Sequence, residues 1–140
     1  MFLVPFYERE FREVLLMEVI VVKTQEEGAL AAFEIFKRAH GEGAKVFGLA
    51  TGSSPIGLYE LLRNSDLDFS DRISVNLDEY VGLAPTDEHS YAYFMNEYLF
   101  NAKPFKHSYL PDGIAKDVDA EVVRYERILQ ENPVDLQLLG

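Results

Sequence analysis

A turn of small residues joins an apolar, strand-like run to a helix-like run, and this arrangement constrains the fold more than any other feature. The strand-like run is Val46–Leu49, the turn covers residues 50–55 (Ala-Thr-Gly-Ser-Ser-Pro), and the helix-like run covers residues 55–63. Gly52 lets the backbone turn tightly and lets a ligand approach closely. The pattern predicts a strand, a tight turn and a helix start, a combination that binds anions.

The turn also has an ordinary interpretation. Ser53 and Ser54 place hydroxyls beside the free N–H groups of the first helical turn, which suits an anion. Pro55 suits the first helical position because its missing N–H would be unpaired there. The same residues fit a plain helix start with Ser54 as its N-cap, so both interpretations stay open at this point.

The residues before this turn continue the alternation of strand and helix. Residues 18–22 (Glu-Val-Ile-Val-Val) form a β-branched run of strand length, and Thr24 with Glu27 forms a capping-box pattern for the next helix. That helix has apolar residues at helical spacing and a stop signal at Gly41, before the strand that begins at Val46. A strand, a helix and a second strand make one βαβ unit.

The second half of the chain shows the same alternation. Residues 73–77 predict a third strand, residues 90–99 an aromatic-rich helix, and residues 136–139 a fourth short strand. Asp117 is a candidate N-cap for a further helix, whose stripe consists of Val118, Val122, Tyr125 and Leu129. This order of elements predicts an α/β fold in which helices cover a parallel sheet.

Composition narrows the partners and the setting. The chain has 13 basic and 24 acidic residues, and its net charge of -11 opposes binding to nucleic acid or to anionic membranes. It has no cysteine, so it has neither a disulfide framework nor a thiolate metal site. No apolar run approaches the roughly 18 residues that span a bilayer, and residues 1–16 lack the basic start of a signal peptide. We expect one compact unit with a cytoplasmic location.

A cluster of polar residues follows the third predicted strand. Ligands of parallel sheets bind at the carboxyl ends of strands, where the turn after Leu49 and the polar residues 76–80 (Asn-Leu-Asp-Glu-Tyr) would both lie. Asn76 and Asp78 would project to the same side of an extended chain, whereas Glu79 would point away. We therefore predict that Asp78 is the working carboxylate and that its neighbour is structural. The alternative is that Asp78 only caps a turn.

The other polar and aromatic candidates have simpler explanations. His40, His89 and His107 lie far apart, and residues 87–89 (Asp-Glu-His) have the composition of a solvated loop, so we expect no metal ion and no cofactor. Aromatic rings can line a sugar pocket, but an aromatic stripe on a helix more often packs in a core. For this reason the predicted site residues do not include Tyr91, Tyr93, Phe94, Tyr98 and Phe100.

A series of motifs runs in order along the chain. The first two are Leu49-Ala50-Thr51-Gly52-Ser53-Ser54-Pro55 and Val75-Asn76-Leu77-Asp78-Glu79-Tyr80-Val81-Gly82-Leu83. Later ones are Ser90-Tyr91, Tyr109-Leu110-Pro111-Asp112-Gly113, Arg124-Tyr125-Glu126 and residues 135–140. Together they resemble the glucosamine-6-phosphate deaminase family, from about residue 17 onwards. The turn alone would also fit the related 6-phosphogluconolactonases, and residues 76–80 separate the two.

The resemblance implies a Rossmann-like α/β fold with helices on both faces of the sheet. It also implies conversion of glucosamine 6-phosphate and water into fructose 6-phosphate and ammonia. In that reaction Asp78 would remove the C2 proton of the ring-opened sugar and return it at C1. Thr51, Gly52, Ser53 and Ser54 would bind the phosphate through N–H groups and hydroxyls. The family further implies amino-sugar catabolism and a homo-oligomer for the full-length protein, whereas the net charge predicts no nucleic-acid or membrane partner.

Both ends of the chain depart from the family pattern. Residues 1–16 lie outside the resemblance, and residues 17–140 would be the N-terminal portion of the deaminase domain, truncated after about its fourth strand. Family members continue beyond the position of Gly140 with an aspartate, a histidine and a glutamate that open the sugar ring. We therefore expect negligible ammonia release from the 140-residue chain alone. The alternatives are another sugar-phosphate enzyme, such as a 6-phosphogluconolactonase, and a non-catalytic sugar-phosphate-binding module.

Overall fold

The computed structural model describes residues 2–5, as a backbone strand, and residues 17–140, which are organised around a five-stranded sheet. The strands are β1 (Phe2–Pro5), β2 (Val46–Leu49), β3 (Ile73–Asn76), β4 (His107–Tyr109) and β5 (Leu136–Leu139). Their spatial order is β1-β5-β2-β3-β4, in which β2 to β5 are parallel and β1 runs antiparallel to β5. The α/β fold with a parallel sheet is therefore confirmed.

Helices connect the strands within the described residues. They are α1 (Gln25–Gly41), α2 (Ile56–Asn64), α3 (Tyr91–Met95), which continues into a π-helical turn (Asn96–Phe100), and α4 (Val118–Glu131). Thr24 caps α1 by accepting the Glu27 N–H at 3.2 Å, and Asp117 caps α4 by accepting the Ala120 N–H at 3.0 Å. Both N-caps expected from the sequence are confirmed.

The direction of the crossovers places helices on both faces of the sheet. The chain passes from β2 through β3 to β4 in one direction, by way of α2 and α3, and returns past β2 to β5 by way of α4. Because parallel crossovers are right-handed, the returning helix lies on the face opposite to α2 and α3. The carboxyl ends of the four parallel strands lie at the same end of the sheet, where ligands of such sheets bind.

The face covered by α1 and α2 contains the hydrophobic core. Phe36 of α1 stacks on Phe47 of β2 with ring centroids 5.6 Å apart, and Phe69 meets Phe47 edge-on at 5.3 Å. All three rings are at most 1% exposed. Leu58, Tyr59 and Leu62 of α2 belong to the same buried cluster, so close packing fixes both helices relative to β2 and to the turn after Leu49.

The opposite face is covered more thinly. Of the predicted α4 stripe, Tyr125 is buried and Leu129 is half-buried, whereas Val118 and Val122 are 44% and 62% exposed. The stripe therefore packs against the sheet only through its C-terminal half.

The first predicted strand is wrong. Residues 18–22 form no regular structure, and Val19 and Val21 are 72% and 90% exposed. A β-branched run forms a strand only where it has a neighbour to pair with, and the outer edge of β5 is occupied by Phe2–Pro5. β4 is absent from the predicted strands, because its three residues (His-Ser-Tyr) give no apolar strand signal.

The N-terminal segment predicted to lie outside the family match is described in part. β1 belongs to it, and residues 1 and 6–16 lie outside the described residues. Among the helices of the described part of the chain, none combines the length and the apolar character needed to cross a membrane.

Candidate active site

The turn after β2 is exposed at the carboxyl end of that strand. Gly52 has a φ of +94°, a left-handed conformation that other residues rarely adopt. α2 begins at Ile56, directly after Pro55, and has no side-chain N-cap. The alternative role of Ser54 as N-cap is therefore wrong, and its exposed hydroxyl is not used to start the helix.

Tyr59 of α2 holds the backbone at the base of this turn. Its side chain is fully buried, and its hydroxyl donates to the Ala50 carbonyl at 2.5 Å and accepts the Ala50 N–H at 3.2 Å. Burial raises the pKa of Tyr59 far above its ordinary value, so the hydroxyl keeps its proton. The turn is thus fixed through the main chain of Ala50, and the side chains that follow stay at the surface.

The ends of three parallel strands meet at the turn. Leu49, at the end of β2, pairs with Asn76 at the end of β3. Gly140, directly after β5, lies so close to the turn that a Cβ on it would be 3.4 Å from the Thr51 carbonyl oxygen. The turn therefore lies between the ends of its two neighbouring strands.

Asp78 lies on exposed backbone just beyond β3. The strand ends at Asn76, which is 3% exposed, and the chain bends at Leu77. The rule that placed Asn76 and Asp78 on one side applies only to extended backbone, and the extended backbone stops between them. In the described part of the chain, the hydrogen bonds that close this loop go to Glu79 and not to Asp78. Capping the turn is thus the role of the neighbouring residue.

Glu79 is bound through both carboxylate oxygens. Its Oε1 accepts the N–H groups of Tyr80 at 2.8 Å and Tyr91 at 2.9 Å, and its Oε2 accepts the N–H of Ala92 at 2.9 Å. The last two N–H groups belong to the first turn of α3, where they have no intrahelical partner and where a negative charge is favoured. Glu79 therefore has the structural role expected for one of the two adjacent carboxylates.

Gly113 supports the same loop from beneath. The Gly82 N–H donates to the Gly113 carbonyl at 2.6 Å. A Cβ on Gly113 would lie 2.5 Å from the carbonyl oxygens of both Tyr80 and Leu83, which is closer than real Cβ atoms approach other heavy atoms. Only glycine therefore fits under the loop in this arrangement.

α4 holds the segment that carries Gly113. Glu121 accepts the Asp112 N–H at 2.7 Å, and Arg124 donates to both Glu121 oxygens at 2.6 Å. The Arg124 guanidinium and the Asp112 N–H together hold the pKa of Glu121 below its ordinary value. This ion pair fixes the position of the glycine relative to α4.

Tyr125 holds the end of β3 from the α4 side. Its buried hydroxyl donates to the Asn76 carbonyl at 2.6 Å and lies 3.1 Å from the Tyr109 carbonyl. Burial raises the pKa of Tyr125 to about 12, so this donor is also protonated at neutral pH. The loop that carries Asp78 thus leaves a strand end whose main chain is fixed.

Tyr91 brings the turn and the loop together. Its hydroxyl donates to the Tyr80 hydroxyl at 3.2 Å, and the two rings lie 4.7 Å apart. The pKa of Tyr91 is raised, first by the Tyr80 hydroxyl and also by the Asp78 charge, while the side chain of Thr51 acts to lower it. Thr51 and Asp78 thus act in opposite directions on the pKa of this hydroxyl. Tyr91 is absent from the residues predicted for the site, yet it packs against Tyr80 of the loop that carries Asp78.

The other sequence candidates lie elsewhere. The Asp87 carboxylate contacts His89 at 3.1 Å in an exposed loop, and His40 lies 2.6 Å from the Asp68 carbonyl. Among the described residues, no group of three His, Asp or Glu side chains could hold a metal ion. An open cleft lined by Arg63, Glu88, His89, Tyr93, Phe94, Glu97 and Tyr98 includes none of the predicted site residues.

Known proteins resemble this chain throughout the region of the site. No protein-family model matches it. The glucosamine-6-phosphate deaminase of Lactobacillus johnsonii is 58% identical over 124 residues, which are 89% of this chain and 52% of that protein. The deaminase of Ligilactobacillus salivarius is 60% identical over 124 residues, which are 89% of this chain and 53% of that protein. This chain belongs to the glucosamine-6-phosphate deaminase family. It spans about half the length of the curated relatives it matches.

Solved structures agree with this family and with the fold. A monomeric glucosamine-6-phosphate deaminase of the NagB superfamily has a TM-score of 0.78 and 35% identity, covering 82% of this chain and 51% of its own. A 6-phosphogluconolactonase from Shewanella baltica has a TM-score of 0.64 and 14% identity, covering 80% of this chain and 50% of its own. The deaminase family thus accounts for sequence and fold, whereas the likeness to the lactonase is one of fold alone.

Proposed function

We propose that this chain binds glucosamine 6-phosphate and supplies the base that moves a proton from C2 to C1 in a glucosamine-6-phosphate deaminase. The observation that carries the proposal is that the turn and the loop leave the carboxyl ends of two adjacent parallel strands. Leu49 pairs with Asn76 at these ends, and Thr51 and Asp78 each follow their strand end by two residues. The names of the relatives support the choice of substrate.

Residues 51–54 would bind the phosphate. Backbone N–H groups at a helix start and exposed seryl hydroxyls suit an anion, and they act locally. Local donors explain how a chain with a net charge of -11 would bind a phosphate ester. Because Tyr59 fixes Ala50 from behind, the turn needs little ordering when the ligand arrives.

Asp78 would act on the ring-opened sugar. It takes the C2 proton, and the electron pair of the C2–H bond forms a C1–C2 double bond while the π pair of the C1 carbonyl moves to O1, which takes up a proton to give an enolamine. The same C2 proton then goes to C1 as the nitrogen lone pair forms a C2–N double bond, and the nitrogen releases one proton, which balances the proton taken up by O1 and leaves an imine at C2. Water adds to C2 and ammonia leaves, which gives fructose 6-phosphate. Proton transfer to both carbons requires a carboxylate held at a fixed distance from each of them.

The alternative function, a 6-phosphogluconolactonase, has support from the fold alone. A 6-phosphogluconolactonase would release no ammonia, and its similarity to this chain is in the fold. Self-association and a cytoplasmic location stay predictions.

Binding to the turn is tested by titrating the 140-residue chain with glucosamine 6-phosphate while amide signals are followed by NMR. We expect saturable shifts of the Gly52, Ser53 and Ser54 amides. Glucosamine without phosphate should leave them unchanged. Ser54→Ala should weaken binding, whereas Ser70→Ala, at an exposed serine outside the turn, should not. Shifts that do not saturate, or that glucosamine reproduces, would contradict the assignment of the phosphate site.

The base is tested separately by deuterium exchange. A base beside C1 of the open-chain form of fructose 6-phosphate removes a C1 proton and returns deuterium from D2O, which proton NMR detects without any ring-opening catalyst. We expect the chain to catalyse this exchange with fructose 6-phosphate and not with fructose. Equal exchange of both sugars would remove the link between the phosphate turn and the base.

A further inference from the structure

Glu79 is adjacent to the proposed base, and within the described residues its carboxylate accepts hydrogen bonds from three main-chain N–H groups. We propose that Glu79 is the positioning residue for Asp78, because its carboxylate ties the Asp78 loop to the first turn of α3. The proposal rests on the proposed function of Asp78 as the base. Proton transfer would then depend on two residues of this loop, Asp78 as the base and Glu79 as the residue that positions it.

The hydrogen bonds of Glu79 leave its loop little freedom. One oxygen accepts from Tyr80, the next residue of the loop, and from Tyr91 of α3. The other oxygen accepts from Ala92 at 2.9 Å, so the carboxylate spans two consecutive N–H groups of the helix. Hydrogen bonds to a charged acceptor are stronger than those between neutral groups. The peptide that follows Asp78 is therefore fixed relative to α3.

The peptide before Asp78 is fixed independently. Asn76 pairs with Leu49 across β2 and β3, and the Tyr125 hydroxyl binds its carbonyl at 2.6 Å. Asp78 thus lies between an anchor in the sheet and an anchor at α3, with Leu77 as the bend. Loss of the Glu79 anchor would free one side of this short link and leave the other unchanged.

The same anchor determines where Tyr91 lies. Its N–H binds Glu79 and its hydroxyl meets Tyr80, so two contacts join the tyrosine to the Asp78 loop. Loosening Glu79 would weaken the contact between the Tyr91 and Tyr80 hydroxyls. The Tyr91 hydroxyl is therefore a reporter of how well the loop is positioned.

The charge and the length of Glu79 both matter in this geometry. A glutamine in its place has one acceptor oxygen, so its NH2 group would face either the Ala92 N–H or the two N–H groups on Oε1. An aspartate is one methylene shorter and could not reach both N–H groups of the helix. Neither substitution leaves a cavity in the hydrophobic core, because Glu79 is only partly buried.

The test uses Glu79→Gln in the full 140-residue chain, with Glu88→Gln as the matched control at an exposed glutamate of the same charge. In Glu79→Gln, the Tyr91 and Ala92 amides should exchange with solvent at least about tenfold faster. NMR titration of the Tyr91 ring should show its pKa moving back towards the ordinary value. The rate of deuterium exchange at C1 of fructose 6-phosphate should fall by about tenfold or more, with half-saturation unchanged. The control should match the wild type in all three.

The outcomes separate this proposal from the proposed function. Wild-type amide exchange and Tyr91 titration in Glu79→Gln would overturn the positioning role, whatever the chain does with sugar. A loosened loop together with a wild-type rate at C1 would overturn it as well. If Asp78→Asn keeps the wild-type rate, the base assignment fails, whereas the two NMR readings still decide whether Glu79 orders the loop. If Glu79→Gln does not fold, Glu79→Asp decides by the same measurements.

Discussion

The two sides of the candidate site are held in different ways. The turn of residues 51–54 is held from behind, by a buried tyrosine that binds the main chain of Ala50. The loop of residues 77–83 is held by one of its own carboxylates, Glu79, and by a glycine packed beneath it. The Ser53 and Ser54 hydroxyls of the turn take no part in this support and lie at the surface. The loop uses one carboxylate for support and leaves the other, Asp78, at the surface.

The turn and the loop also share one feature, a buried tyrosine that binds the main chain where each segment begins. Tyr59 on one face of the sheet and Tyr125 on the other each bind the main chain at a strand end, at Ala50 and at Asn76. The two strand ends are neighbours in a parallel pair. The turn and the loop thus each begin at a residue whose main chain is held by a tyrosine. They differ in the contacts that hold the residues after that point.

Among the variants considered, Gly113→Ala should disrupt the loop of residues 77–83 most strongly. The added Cβ would lie 2.5 Å from two loop carbonyl oxygens, so the loop must move away. We expect a loss of about 1–3 kcal/mol in the free energy of unfolding, measured in urea. Gly41→Ala is the matched control, because a Cβ there meets nothing within 4 Å. Equal stability of the two variants would mean that the loop does not rest on this glycine.

The two tyrosine anchors should differ in strength. Tyr59→Phe leaves both the N–H and the carbonyl of Ala50 without this partner, and we expect a loss of about 1–3 kcal/mol. Tyr125→Phe removes only a donor to carbonyl oxygens, and we expect about 1 kcal/mol. Thermal and urea unfolding of the two variants measure the difference. A greater loss in Tyr125→Phe would reverse the comparison.

The smallest effect on stability should come from Glu121, which supports the loop indirectly by holding the segment that carries Gly113. Its folded pKa lies below the ordinary value, so its stabilising contribution is fully present above the pKa of the unfolded chain, about 4.3. The contribution is lost as the pH falls through the folded pKa. Glu121→Gln should therefore lower the free energy of unfolding at neutral pH, by less than about 1 kcal/mol, and the gap should close in acid.

The control for this pH dependence is Glu60→Gln, at an exposed glutamate of α2. It should show no gap that closes with falling pH. A gap for Glu121→Gln that widens in acid would mean that the carboxylate is destabilising, contrary to its contacts with Arg124 and Asp112.

Much of the fold was predictable from local sequence signals. The helix caps at Thr24 and Asp117 and the strands at Val46–Leu49 and Leu136–Leu139 each have a clear pattern, and all are confirmed. Residues 18–22 failed because strand propensity does not reveal whether a sheet edge is available. β4 is short and polar, and it is a strand only because β3 lies beside it.

The site was predictable only in part, for a similar reason. The turn and the polar run after β3 have local signatures, and the resemblance added the role of Asp78. The place of Tyr91 depends on contacts with Tyr80 and Glu79 that no periodicity contains. Which of two adjacent carboxylates is bound by the main chain likewise depends on where the start of α3 lies. Sequence spacing identified the pair, and the tertiary contacts distinguish its members.

The central claim is that the loop after β3 carries the base and that the turn after β2 binds the phosphate of the same sugar. Its most direct test is deuterium exchange at C1 of fructose 6-phosphate by the wild-type chain, Asp78→Asn and the control Glu88→Gln. We expect Asp78→Asn to lower the rate by a factor of about 10²–10⁴ while Glu88→Gln keeps it. Exchange by Asp78→Asn at the wild-type rate would contradict the account.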